Sequence, residues 1–204
     1  MVEAADLQPL TSRLAIWQAY DPAVKAELFS TAVRVDDRLF LVDPIPLAPD
    51  PRRELTAHGS VCSVFLTNAN HARAAGVFAA ASGAAILASA VTASVLCDLE
   101  ILAIAPGDKV GDRMTVIAIE GAAEGEIALH SDGDGGTIIV GDALIHFESS
   151  GFALLPAKYC SDQKLMRRSL RQLLDFSFER LLFAHGTPIV SSARAKLERL
   201  LACR

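Results

Sequence analysis

"VCSVFLTNANHARAAG", residues 61–76, decides how the chain is to be read. Its first half is a run of β-branched and apolar residues of strand length, and its last residues open an alanine-rich stretch of helical composition. Between them lie Asn68, Asn70, His71 and Arg73, so two carboxamides, an imidazole and a guanidinium crowd the point where a buried strand hands over to a helix. A strand end of this kind, followed by a helix start, is where a sheet-based protein places functional side chains. The cluster contains no carboxylate and a single imidazole, which separates it from an ordinary metal-binding run.

The same β-prone pattern recurs along the chain. Residues 30–37, 38–44, 61–67, 84–89, 100–105, 113–120, 126–131, 136–142 and 180–186 all read as strands. Helical patterns are expected near 52–58, over 72–81, over 161–176 with Ser161 and Asp162 as capping residues, and over 191–202. The helix after the polar cluster presents a small apolar face through Ala75, Phe78, Ala79 and Ser82. Asp and Gly in "SDGDGG" (131–136) and the glycines of "GAAEGE" (121–126) mark tight connections. Hairpin-like runs with helices interspersed and concentrated late predict two sheets packed face to face with helices outside, in one domain spanning residues 1–204.

Composition excludes several classes. The chain has 204 residues, 51% hydrophobic and 21% charged, which describes a folded protein with a substantial core. A formal charge of −5 and the absence of Lys- or Arg-rich runs beyond "MRRSLR" predict no nucleic-acid partner. Residues 74–97 carry no charge, but their Ala, Ser, Gly and Thr content and the break at "ASGAA" predict a buried helix and strand rather than a membrane span. Cys62, Cys97, Cys160 and Cys203 lie far apart without CxxC spacing, and the N-terminus lacks a secretory pattern; a reducing, cytoplasmic location is expected.

Taken in order, "RLFLVDP", "VFLTNANHARAAG", "GAAEGEIAL", "TIIVGDALI" and "LLFAHGTPI" resemble the metallo-β-lactamase superfamily from about residue 30 to the C-terminus. The resemblance implies a four-layer αββα sandwich with a metal centre along one edge of the sheets. In that family the ligands come from a Thr-His-x-His-x-Asp-His motif, a later turn histidine, a bridging aspartate and a final Gly-His-Gly-like turn. With Gly76 fixing the register, Thr67 matches the threonine, while Asn68, Asn70, Ala72, Arg73 and Ala122 stand where ligands are expected. Asp142 and His185 alone match ligand positions.

Carboxamides are feeble ligands for zinc or iron and a guanidinium is none, so the resemblance implies that the binuclear centre is lost. At most a weakly held single zinc or iron ion is expected, on Asp142 and His185, or on a shifted set that adds His71. The competing reading of His71 is a helix-start or packing role. Arg73 lies at a helix start, where a cation is unfavourable without an anionic partner. The expectation is a charge-assisted pair with Asp142, against the alternative of a small anionic ligand. Asp142 and His185 are candidate catalytic residues, as metal ligands or as a metal-free base pair, and also fit a loop-forming role. Asn68, Asn70, His71 and Arg73 are candidate ligand-binding residues. Lys158 and Tyr159 are read as exposed loop residues near the mouth. Three functions follow from these residues: hydrolysis at a residual mono-metal or metal-free site, binding of a small anion without catalysis, or an interaction protein that keeps only the fold.

Overall fold

The computed structural model describes residues 2–202. In chain order the strands are β1 (Gln8–Pro9), β2 (Leu14–Asp21), β3 (Ala26–Val35), β4 (Arg38–Val42), β5 (Ser60–Phe65), β6 (Ala85–Ser89), β7 (Ile101–Ile104), β8 (Lys109–Val110), β9 (Met114–Ala118), β10 (Ile127–Ser131), β11 (Thr137–Val140), β12 (Leu144–Phe147), β13 (Gly151–Leu154) and β14 (Arg180–Phe183). The helices are α1 (Pro49–Ala57), α2 (Ala75–Ser82), α3 (Ala90–Val95), α4 (Gln163–Ser169) and α5 (Ala193–Ala202). Strands β1 to β7 form one sheet in sequence order. A second sheet runs β14-β11-β10-β9-β8, and β12 and β13 form a separate hairpin.

Strand periodicity explains the layering. Side chains alternate across a strand, so a strand buried on both faces feeds two different cores. Phe40 and Val42 of β4 face a cluster with Val116, Leu129, Ile139 and Leu182, which fills the space between the sheets. The intervening Leu39 and Leu41 join Leu55 of α1 and Phe78 of α2 on the outer face. In the second sheet Ile138, Val140, Leu181 and Phe183 point outward, to Met166 of α4 and Leu197 and Leu201 of α5. Three apolar layers thus separate helix, sheet, sheet and helix, the αββα order that the continuous apolar runs imply.

Local signals set the helix bounds. Prolines occupy the first turn of α1, where a missing N–H costs nothing. Gly83 ends α2 in the left-handed conformation at φ 73. Asp162 caps α4 by accepting from the amides of Lys164 and Leu165. The predicted helix over 161–176 is divided: α4 stops at Ser169 and a 3₁₀ segment, Leu170–Asp175, continues it. The uncharged segment 74–97 folds as α2, β6 and α3, and no helix among the described residues is long and apolar enough to cross a membrane. Cys62, Cys97 and Cys160 are free thiols; Cys203 lies outside the described residues.

Strands β4 and β5 run parallel, as do β11 and β14. Their C-terminal ends share one edge of the sandwich, and Leu28, near the start of β3, bridges to His185 there. Asp43, Thr67, Asn68, Asp142 and His185 all follow directly on these strand ends, which is how residues scattered through the chain reach one place.

Candidate metal centre

Asp43 and Thr67 open the site. Thr67 donates its backbone N–H to Asp43 Oδ1 at 2.8 Å and its hydroxyl to Asp43 Oδ2 at 2.6 Å, and both residues are buried. Having spent its proton on Asp43, the Thr67 hydroxyl oxygen accepts from His71 Nδ1 at 2.7 Å. The same His71 nitrogen lies 3.0 Å from Asp43 Oδ2. Hydrogen bonding therefore assigns a proton to Nδ1 and turns Nε2 of this buried ring inward.

Nε2 of His71 faces Asp142. It lies 3.3 Å from Asp142 Oδ1, without the alignment of a hydrogen bond, and makes none elsewhere. His185 repeats the pattern: its Nδ1 contacts the Glu27 carbonyl at 3.3 Å, and its Nε2 is 3.4 Å from the same Asp142 oxygen. The two rings tilt against each other with centroids 5.4 Å apart. One ligand atom each from His71, Asp142 and His185 lies within 4.8 Å of the others. Two lone-pair nitrogens and a carboxylate oxygen converging on one point repel unless a cation, proton or metal, sits among them.

Asn68 fixes the carboxylate from the other side. Its Nδ2 donates to Asp142 Oδ2 at 3.0 Å and reaches Glu126 Oε2 at 3.5 Å, while its Oδ1 accepts from the backbone of Asn70 at 2.9 Å. Glu126, fully buried, accepts from the Ala143 amide at 2.7 Å. Gly141 permits this closeness: a Cβ there would stand 2.6 Å from the Thr67 hydroxyl and 3.2 Å from Glu126.

Electrostatics follow from burial and neighbours. Burial opposes a charge on His71, but Asp43 beside it wins and pushes the imidazole up to about 9. Burial would likewise raise Asp43 and Asp142, yet the His71 cation holds both below the usual carboxylate range. His185 is pushed down to about 4 by burial and then by His71, so it is a neutral ring at pH 7. Burial and the nearby Asp142 charge push Glu126 up to about 8.

The expected Arg73–Asp142 pair does not form. Arg73 donates from one guanidinium nitrogen to the carbonyls of Phe29 (2.8 Å) and Asp43 (3.0 Å), and from the other to that of Ala184 (3.4 Å). These carbonyls belong to β3, the end of β4 and the end of β14, and a side chain stapling them is directed at backbone rather than at the carboxylate. Its own backbone sits at φ 36, because the chain turns sharply between the 3₁₀ segment Ala69–His71 and α2. Asn70 is exposed and only its backbone joins the cluster. His71, for which the sequence leaves both packing and a shifted site open, is brought together with Asp142, His185 and Asn68. Lys158 and Tyr159 are exposed, the ammonium lying 4.5 Å above the ring.

Sequence reading misses Asp43 and Glu126 as site residues. Each has a visible signal, a carboxylate closing "RLFLVDP" and one following the glycine of "GAAEGE" at a strand boundary. What the sequence does not show is the partner, His71 for one and Asn68 for the other.

The sequence profile of the metallo-β-lactamase superfamily matches residues 10–204. The chain belongs to this superfamily. No curated protein matches it by sequence. Among solved structures, this metallo-β-lactamase-fold chain is similar to a metallo-beta-lactamase from Pontibacter korlensis, with a TM-score of 0.72, 14% identity and coverage of 98% of this chain and 99% of that one. It is also similar to a metallo-beta-lactamase from Erythrobacter litoralis (TM-score 0.74, 14% identity, 96% and 95% covered). A metallo-beta-lactamase family protein from Thermus thermophilus shares 20% identity at a TM-score of 0.67, over 95% of this chain and 80% of that one. At these identities the likeness concerns the fold. This member of the superfamily carries, among the described residues, one group of three able to hold a metal: His71, Asp142 and His185.

Proposed function

We propose that this protein is a hydrolase-like member of the superfamily whose usual two-metal centre is reduced to a single-ion site on His71, Asp142 and His185. The observation that carries this reading is the convergence of His71 Nε2 and His185 Nε2 on Asp142 Oδ1, at 3.3 and 3.4 Å, with the His71 nitrogen buried and without a hydrogen bond. Two ligands about 2.0–2.1 Å from one tetrahedral zinc ion stand about 3.3 Å apart, the spacing of each histidine nitrogen from the Asp142 oxygen. Three protein ligands also leave one position open, the condition for catalysis. When bound, the ion would acidify a water and polarise a substrate carbonyl or phosphoryl oxygen.

The chain's own residues prepare that place. Asp43 and Thr67 hold the His71 ring through Nδ1, as a carboxylate partner does for a metal-bound imidazole. Asn68 orients Asp142 through its second oxygen, and Glu27 holds His185 through its backbone carbonyl. Arg73 ties β3, the end of β4 and the loop after β14 into one rim, and its fixed positive charge disfavours a second cation nearby.

A second reading has its own support. His71 charged between Asp43 and Asp142 supplies the required cation as a proton, so the cluster is electrostatically complete without metal. The protein would then be a metal-free site or a non-catalytic binding module. Zinc titration with a competing chromophoric chelator, read with elemental analysis, tests the two. One equivalent lost in both His71→Ala and His185→Ala supports the single-ion site; no zinc binding supports the proton-filled one, and two equivalents overturn both.

A further inference from the structure

The outer face of the first sheet carries a second candidate site, at the end of β2, β3 and β4 away from the His71 cluster. A cavity of about 410 Å³ opens between this sheet, α1 and the N-terminal segment. Its floor is made by Ala15, Ala32, Leu39 and Leu55, residues that belong to or pack on the outer core. Small side chains at 15 and 32 leave room there that larger ones at the equivalent alternate positions would fill. The volume lies in the range of small-molecule sites, which are apolar with a few placed polar groups.

Arg13 and Arg34 stand at one rim of that cavity. The β2–β3 register pairs Leu14 with Val33, and the Arg34 amide donates to the Arg13 carbonyl at 2.7 Å, so the two arginines are cross-strand neighbours. Alternation puts Arg34 on the same face as Ala32, while Arg13, one residue before β2, carries its guanidinium to the lower edge of the sheet, where Nη1 stands 3.2 Å from the place of a Cβ on Gly133; both arginines line the boundary between the cavity and that edge. Like charges directly opposite each other on a sheet are destabilising. Both residues are half-buried, and neither guanidinium makes a hydrogen bond or ion pair with another described side chain; the arginines that pair with carboxylates are Arg53, Arg113 and Arg194. Asp134, nearby, is engaged by the Thr11 hydroxyl at 3.0 Å. Glu54, the acidic residue of the lining, sits on α1 across the cavity, which leaves the arginine rim positive.

We propose that this cavity binds a small amphipathic carboxylate, its apolar body on the Ala15, Ala32, Leu39 and Leu55 floor and its headgroup between Arg13 and Arg34. A planar guanidinium matches a carboxylate bidentately, and two of them flanking one anion remove their mutual repulsion. The floor selects for an apolar body and the rim for the charge, so neither part of the ligand suffices alone. This site is independent of the metal reading.

The test uses decanoate below its micellar range, with decanol and acetate as body-only and head-only controls. Isothermal titration measures affinity, and amide NMR shifts locate the ligand. Decanoate is expected to bind one per chain, with shifts centred on residues 13–15, 32–34 and 55, and at least about tenfold more tightly than either control. The Arg13→Gln/Arg34→Gln protein, which keeps the fold because both side chains reach the surface, is expected to lose at least about tenfold in decanoate affinity with unchanged circular dichroism. Equal binding of decanol, equal binding by the double variant, shifts centred on His71, or no decanoate binding at all would each overturn the proposal.

Discussion

Asp43 Oδ2 lies 3.0 Å from His71 Nδ1 with both side chains buried, a carboxylate–imidazole contact formed across residues far apart in sequence. It sets which ring nitrogen faces Asp142. Asp43→Asn keeps the shape but removes the charge that holds the ring. Zinc affinity is expected to fall about 10- to 100-fold, the usual effect of losing such a supporting partner. The chelator competition that measures wild-type affinity measures this, and an unchanged constant would mean that His71 is not a ligand.

Arg73 donates to three backbone carbonyls at a partly buried rim; two of them keep another donor without it, the Ser30 hydroxyl on Asp43 at 2.8 Å and the Phe29 amide on Ala184 at 2.9 Å. Hydrogen bonds from a charged donor contribute about 1.5–3 kcal/mol each, and with the Phe29 contact as the main loss, Arg73→Ala is expected to destabilise by about 2 kcal/mol in urea. Lysine, lacking the fork, should recover less than half of this. The discriminating measurement is the double-mutant cycle with Asp142→Asn: additivity supports the backbone role, and a strong coupling would restore the ion pair expected from sequence.

Glu126 gives a pH dependence with a definite sign. Its folded value is raised from 4.5 to about 8, so between those values the folded protein binds more protons than the unfolded chain. The contribution is fully present below 4.5 and is lost as pH rises through about 8. Glu126→Gln, which mimics the protonated acid, is expected to flatten the decline in urea midpoint between about pH 5 and pH 8. His71, also raised, adds a decline of the same sign above 6.5 that the variant retains. An identical slope in wild type and variant would place the Glu126 proton elsewhere.

Gly141→Ala probes how tightly the site is packed. The added methyl would meet the Thr67 hydroxyl at 2.6 Å and the Thr67 Cβ at 3.0 Å, so Thr67 must move. Overpacking of this kind costs about 1–3 kcal/mol. Because Thr67 also holds His71, zinc affinity should fall together with the thermal midpoint. A stable variant with intact zinc binding would show that the site yields more than these distances suggest.

Much of the fold is legible because continuous apolar runs bounded by Asp, Gly and Pro are hard to mistake for anything else. All the runs read as strands contain strands, including "TIIVGD" and "RLLFAHG" with the site residues at their ends. Strand β2, "LAIWQAYD", is absent from that reading, although its alternation is clear in the fold: Leu14 and Ile16 enter the inter-sheet core while the neighbouring Ala15 packs on the outer one. The hairpin β12–β13 and the six-residue α3 are too short for periodicity to speak. At the site, residue types point to Asp142, His185 and Asn68, but partners are a tertiary matter. Arg73 illustrates the gap, since a backbone carbonyl leaves no trace in a sequence and a carboxylate does.

The pairing of β14 with β11 has a bearing on when the site exists at all. His71 is in place once the first sheet forms, Asp142 requires β11, and His185 arrives only when the strand before the C-terminal helix docks parallel to β11. Parallel pairing between segments so far apart closes a long loop and is a slow event in folding. A chain that has collapsed but not seated β14 presents a bidentate fragment at best, with far weaker hold on any ion. If the single-ion site binds zinc, its uptake, followed in real time during refolding, is expected to lag behind the recovery of secondary structure.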